Sequence, residues 1–145
     1  GKNITPKVTV KYKNITLREG IDYKVVYKNN KKIGTAKIYV IGLNNFKDSN
    51  TYKMKIIPAK TKITKKKATK KKITLKLKKV KGATGYQVMY SLKKNFKGKK
   101  KINTKKRTVV IKRKKSGKYY VKVRAYKKIG KKYVYGNYTK RITIK

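Results

Sequence analysis

The chain is 145 residues long and carries 48 lysines and arginines against three acids, Glu19, Asp22 and Asp48, a formal charge of +45. It has no histidine, cysteine or tryptophan, so the usual proton shuttles, thiol nucleophiles and soft metal ligands are missing, and the chain reads as no enzyme, with no catalytic, cofactor-binding or metal-ligating residues. A field this large disfavours self-association, implying a monomer, and favours anionic polymers such as nucleic acid, anionic lipid or phosphate-bearing wall polymers.

The charge is unevenly shared. Residues 1–58 hold 13 bases and 3 acids, whereas residues 59–145 hold 35 bases and no acid. Lysine outnumbers arginine 43 to 5, and Lys, Ile, Tyr and Asn, all with A/T-rich codons, supply 81 residues, so genomic composition competes with function as the source of the basicity. No apolar run is long enough to span a membrane and no signal peptide is visible; the chain reads as a piece of a longer protein whose targeting signals lie outside it.

In chain order, Val8, Val10 and Tyr12 alternate with lysine and threonine, and Tyr23, Val25 and Tyr27 repeat the alternation after a turn at Glu19-Gly20. Ile38 and Val40 follow Gly34, and Tyr52, Met54 and Ile56 close the first half. Such alternation is that of half-buried strands, and turn residues at Asn29-Asn30, Gly34, Gly42 and Asn44-Asn45 set a spacing suited to a β-sandwich. Ile57-Pro58-Ala59 ends this stretch, and Lys60 to Lys72 follows with two triple-lysine runs. A domain boundary is therefore predicted at 58/59, with residues 59–72 as a basic linker and first strand anchored at Ile63.

In the second half Ile73, Leu75 and Leu77 form one inward face. Tyr119 to Tyr126 alternates strictly, with Tyr119, Val121, Val123 and Ala125 on one side and Tyr120, Lys122, Arg124 and Tyr126 on the other. No stretch has a helical period. The predicted class is all-β: two tandem antiparallel β-sandwich modules, residues 1–58 and 59–145.

Two family resemblances rest on particular residues. Gly20-Ile21-Asp22-Tyr23-Lys24-Val25-Val26-Tyr27-Lys28-Asn29-Asn30 and Gly34-Thr35-Ala36 resemble the small immunoglobulin-like repeats of Gram-positive surface proteins. Val80-Lys81-Gly82-Ala83-Thr84-Gly85-Tyr86-Gln87-Val88-Met89-Tyr90 and Gly117-Lys118-Tyr119-Tyr120-Val121-Lys122-Val123-Arg124-Ala125-Tyr126 look like a bacterial fibronectin type III domain over residues 60–145. That resemblance implies a structural corner at Tyr119, whose hydroxyl would bond back to the preceding connection. It also implies tryptophan at Leu77 and near Tyr138, and neither is present. No Arg-Gly-Asp sequence supports integrin binding.

Ser49, Ser91 and Ser116 are the only serines and have no histidine to activate them, which excludes a catalytic triad. Glu19 and Asp22 read as turn residues meeting neighbouring bases rather than as an acid-base pair or a calcium site. Lys99, Lys100, Lys101, Lys105, Lys106, Arg107, Lys112, Arg113, Lys114 and Lys115 form the candidate polyanion-binding region. They would bind nucleic acid non-specifically at low salt; sequence reading is disfavoured without a recognition helix and with arginine scarce. Tyr120, Tyr126, Tyr133, Tyr135 and Tyr138 are the candidate surface tyrosines, serving either as strand formers or as a stacking platform for bases or sugars. The resulting expectation is a non-catalytic spacer or accessory binding module of a secreted or wall-associated bacterial protein, facing anionic cell-wall polymers and carrying other domains of its parent chain. A carbohydrate-binding or nucleic-acid-binding module is the alternative.

Overall fold

A computed structural model describes residues 2–145, and every regular element among them is a β-strand; all strand pairs within its sheets are antiparallel. The chain forms two compact units, one ending at Ile56 and one running from Ile57 to Lys145.

In the first unit β1 (Lys11–Tyr12) and β2 (Ile15–Thr16) make a short hairpin, and β3 (Tyr23–Lys28), β4 (Gly34–Gly42) and β5 (Ser49–Ile56) make a three-stranded sheet in that order. Tyr23, Ala36, Ile38 and Ile56 are its buried apolar side chains. The alternation expected from Val8 pairs only at Lys11–Tyr12. Tyrosine hydroxyls hold the preceding segment instead: Tyr23 donates to the Val8 carbonyl and Tyr27 to that of Pro6, whose missing N–H weakens any ladder there. The Asp22 carboxylate accepts from the Arg18 backbone N–H at 2.7 Å and lies 3.6 Å from the guanidinium, which makes it a turn clamp.

The second unit has two sheets. One contains β6 (Ile63–Ala68), β7 (Lys72–Leu77) and β10 (Thr108–Lys112), with β7 central. The other contains β8 (Gly85–Ser91), β9 (Lys100–Thr104), β11 (Tyr119–Ile129), β12 (Lys132–Tyr135) and β13 (Ile142–Ile144). Their inner faces share one core of Ile73, Leu75, Leu77, Val88, Val109, Ile111, Val121 and Val123, a sandwich-like arrangement. Full burial of each such side chain contributes about 1.5–3 kcal/mol. Along β11 the inward face of the alternation, Tyr119, Val121, Val123 and Ala125, is buried, and Tyr126 on the other face is buried as well. A two-residue turn at Gly130-Lys131, with Gly130 at φ 55°, then reverses the chain into β12.

Between β12 and β13 the ladder is bridged by a side chain. Thr139 donates its N–H to the Val123 carbonyl at 2.8 Å, and its hydroxyl accepts the Val123 N–H at 3.1 Å, so β11 keeps its bonds where its partner strand is broken.

The basic stretch 60–72 is built into the fold. Thr61 is buried and donates to the Lys78 carbonyl at 2.9 Å, and Ile63–Ala68 pairs with β7 through a bulge between Ile63 and Lys65. Lys65, Lys66 and Lys67 thus lie on an exposed edge strand, where lysine blocks further strand pairing.

Candidate functional site

The edge strands β9 and β10, one from each sheet of the second unit, flank a groove of about 600 Å³. Tyr90, Leu92, Ile102, Val110 and Tyr119 supply its apolar lining, and Lys93, Lys97, Lys100, Lys112, Lys114 and Lys115 its cations. The Tyr90 and Tyr119 rings stack with centroids 6.4 Å apart and planes inclined by 26°.

Two connections present Lys93, Lys97, Lys114 and Lys115, with Lys100 and Lys112 at the adjoining strand ends, and side-chain hydrogen bonds fix both. In the β8–β9 connection the Ser91 hydroxyl donates to the Lys97 carbonyl at 2.8 Å and accepts the Lys93 N–H at 3.1 Å. In the β10–β11 connection Tyr119, buried at the start of β11, donates its hydroxyl to the Lys115 carbonyl at 3.1 Å. No aspartate or glutamate occurs in residues 59–145 to neutralise the ammonium groups.

The ten basic residues singled out from sequence are thereby sorted. Lys100, Lys112, Lys114 and Lys115 converge on the groove. Lys99 and Lys101 do not line it, because alternation along the strand brings Lys100 and Ile102 to one side and turns Lys101 to the other. Lys105, Lys106 and Arg107 are exposed in the β9–β10 turn. Arg113 is placed differently from its neighbours. Its guanidinium donates to the carbonyls of Thr69 and Gly117, both at 3.1 Å, and lies 5.3 Å from the Tyr119 ring centroid. It is a strut for the Tyr119 corner, with its two terminal nitrogens turned to the chain's own backbone.

On the outer face of the larger sheet, aromatic rings and cations alternate. Lys122 sits 4.6 Å from the Phe96 ring and 4.9 Å from that of Tyr138, while Arg124 lies 4.4 Å from Tyr138 and 3.8 Å from Tyr135. Buried Gln87 anchors the row: its carbonyl oxygen accepts from Tyr138 Oη at 2.7 Å and Arg124 Nε at 3.0 Å, and its amide donates to Asn103 at 2.9 Å. Tyr120 has Arg141 at 5.5 Å. The candidate stacking tyrosines therefore already face cations or rings of their own chain, worth about 0.5–2 kcal/mol each. Tyr126, expected at the surface, is 5% exposed, because the rings of Tyr133 and Tyr135 close over it at 5.2 and 6.1 Å.

Burial pushes the Tyr126 phenol above its ordinary pKa, with Tyr133 and Tyr135 adding to the rise. Burial also raises Tyr138, partly opposed by the Arg124 guanidinium and reinforced by Tyr135. A raised phenol pKa means that the fold holds the neutral form. That contribution is complete below the unfolded tyrosine pKa of about 10 and is lost as pH rises through the folded values. In a spectrophotometric titration the Tyr126 and Tyr138 phenols are expected to ionise above the ordinary tyrosine value of about 10. Ionisation of either phenol in the folded protein at or below about pH 10 would contradict this.

Sequence reasoning missed Tyr90, Leu92, Ile102, Val110, Lys93 and Lys97. Its available signal was the run Val109-Val110-Ile111: with Val109 and Ile111 buried, Val110 must face outward, and it is 47% exposed. Compared with known proteins, the sequence matches no family model and no curated protein.

Proposed function

We infer that this protein is a non-catalytic spacer or accessory binding module of a secreted or wall-associated bacterial protein, which holds other domains of its parent chain against anionic wall polymers such as teichoic acid. The observation carrying this reading is the electrostatics of the second unit: 35 bases and no acid on a rigid two-sheet scaffold, with six lysines around one groove. The reading includes an immunoglobulin-like module followed by a fibronectin type III module. Support for the latter comes from the three-stranded sheet β10-β7-β6 opposite β12-β11-β8-β9, and from the Tyr119 hydroxyl bonded to the carbonyl four residues earlier. Fold likeness alone does not dictate function, so the charge carries the functional claim.

Titrating the protein with wall teichoic acid, duplex DNA and a neutral polysaccharide at about 50 and 500 mM salt tests it, because polyanion binding driven by counterion release falls steeply with salt. The expected result is binding to both polyanions that collapses at the higher salt, with no binding to the neutral polymer. Salt-resistant binding of the polysaccharide would replace this reading with a carbohydrate-binding module. Salt-resistant DNA binding would replace it with a nucleic-acid-binding one.

A further inference from the structure

We propose that the β9–β10 groove binds a single-chain anionic amphiphile: an unbranched alkyl chain ending in a phosphate or carboxylate, taken up as a free molecule. The proposal goes beyond the polymer-binding reading, although the two share lysines.

The lining's polar inventory selects this chemistry. The Ser91 hydroxyl is engaged as both donor and acceptor, and the Tyr119 hydroxyl donates to Lys115. The Tyr90 hydroxyl is the remaining one, without a hydrogen-bond partner among the described residues. A sugar needs many paired donors and acceptors, and this lining cannot supply them. It offers instead an apolar floor of Tyr90, Leu92, Ile102, Val110 and Tyr119. Leu92 and Val110 are 42% and 47% exposed, apolar surface a bound alkyl chain would cover.

Charge complementarity fixes the other end of the ligand. Lys93, Lys97, Lys100, Lys112, Lys114 and Lys115 leave no site for a cationic or zwitterionic group, and nothing in residues 59–145 competes for their protons' hydrogen bonds as a carboxylate would. The volume of about 600 Å³ falls within the range of small-molecule sites, about 300–1,000 Å³. This favours one small molecule over an extended macromolecular face.

Calorimetric titration with ethyl, butyl, octyl and dodecyl phosphate, each below its micelle-forming concentration, tests the proposal. Each added methylene is expected to tighten binding about threefold to fourfold until the groove is filled, at one ligand per protein. Octyl phosphate binding should persist at about 500 mM salt, where teichoic acid binding is lost. Leu92→Gln with Val110→Gln, charge-neutral changes at two exposed positions, should weaken octyl phosphate at least tenfold and leave teichoic acid binding at low salt unchanged. Binding independent of chain length, superstoichiometric uptake, or indifference to the double variant would each overturn the groove proposal while leaving the polymer reading intact. Preferential capture of an acidic, leucine-rich peptide with no response to octyl phosphate would also overturn it.

Discussion

Gly85→Ala is expected to destabilise the second unit by about 3 kcal/mol, at the upper end of the cost of overpacking. Gly85 opens β8 and lies between two paired strands. A Cβ there would stand 2.4 Å from the Thr104 carbonyl oxygen and 2.6 Å from the Tyr126 hydroxyl. Neither neighbour yields easily. Thr104 is backbone of the partner strand, and Tyr126 is confined by Tyr133 and Tyr135. The cross-strand pair Gly85–Tyr126 thus works as one unit, a ring laid over the space that a missing side chain leaves.

Urea unfolding reads the loss directly, as a lower midpoint at unchanged slope. Gly98→Ala is the control: it has nothing within 4 Å, but its φ of +66° brings a left-handed backbone cost of about 1–2 kcal/mol. A Gly85→Ala protein within about 0.5 kcal/mol of the parent, the range of ordinary surface changes, would show that the tyrosine cover is not rigid. Tyr126→Ala should make the second substitution less costly by removing one of the two clashes, and the double-mutant cycle measures that coupling.

The inward faces of the second unit were legible because alternation is a local code. Ile73, Leu75 and Leu77, and Tyr119 through Ala125, follow the two-residue period and are buried as it requires. Sheet membership, by contrast, depends on partners far along the chain. Arg113 looked like one more surface base within Lys112 to Lys115, yet a carbonyl 44 residues away takes one of its donors. Tyr126 sat on the outward face by period, and only the turn at Gly130 brings Tyr133 and Tyr135 over it. The groove was half visible: its lysines stood out as runs, while its floor is assembled from four separate stretches of chain. In the first unit Val8 and Val10 had the period of a strand, but the carbonyls of Pro6 and Val8 accept tyrosine hydroxyls instead of ladder bonds, and only from Val10, which accepts the Leu17 N–H, does the backbone pairing of the hairpin begin.

Raising ionic strength from about 10 to 150 mM is expected to raise the melting temperature by about 10 °C, because the screening length falls from about 30 to 8 Å. Two like charges 10 Å apart in water repel by about 0.4 kcal/mol, and the runs at Lys99 to Lys101 and Lys112 to Lys115 give each cation several such neighbours. The sole ion pair among the described residues is Arg18–Asp22, so attraction offsets little of this. Adding polyphosphate at constant ionic strength should raise the midpoint further through binding to the folded state, which separates a site from mere screening. Glutamine substitution then distinguishes function from genomic drift. Neutralising Lys65, Lys66 and Lys67 on the exposed edge of β6 should improve stability at low salt and leave octyl phosphate binding unchanged. Neutralising Lys100, Lys112 and Lys114 at the groove should give a similar gain in stability and a loss of that binding. Equal retention of binding in both triples would mean that the groove lysines are as dispensable as those on the edge strand, and that codon bias rather than ligand recognition put them there.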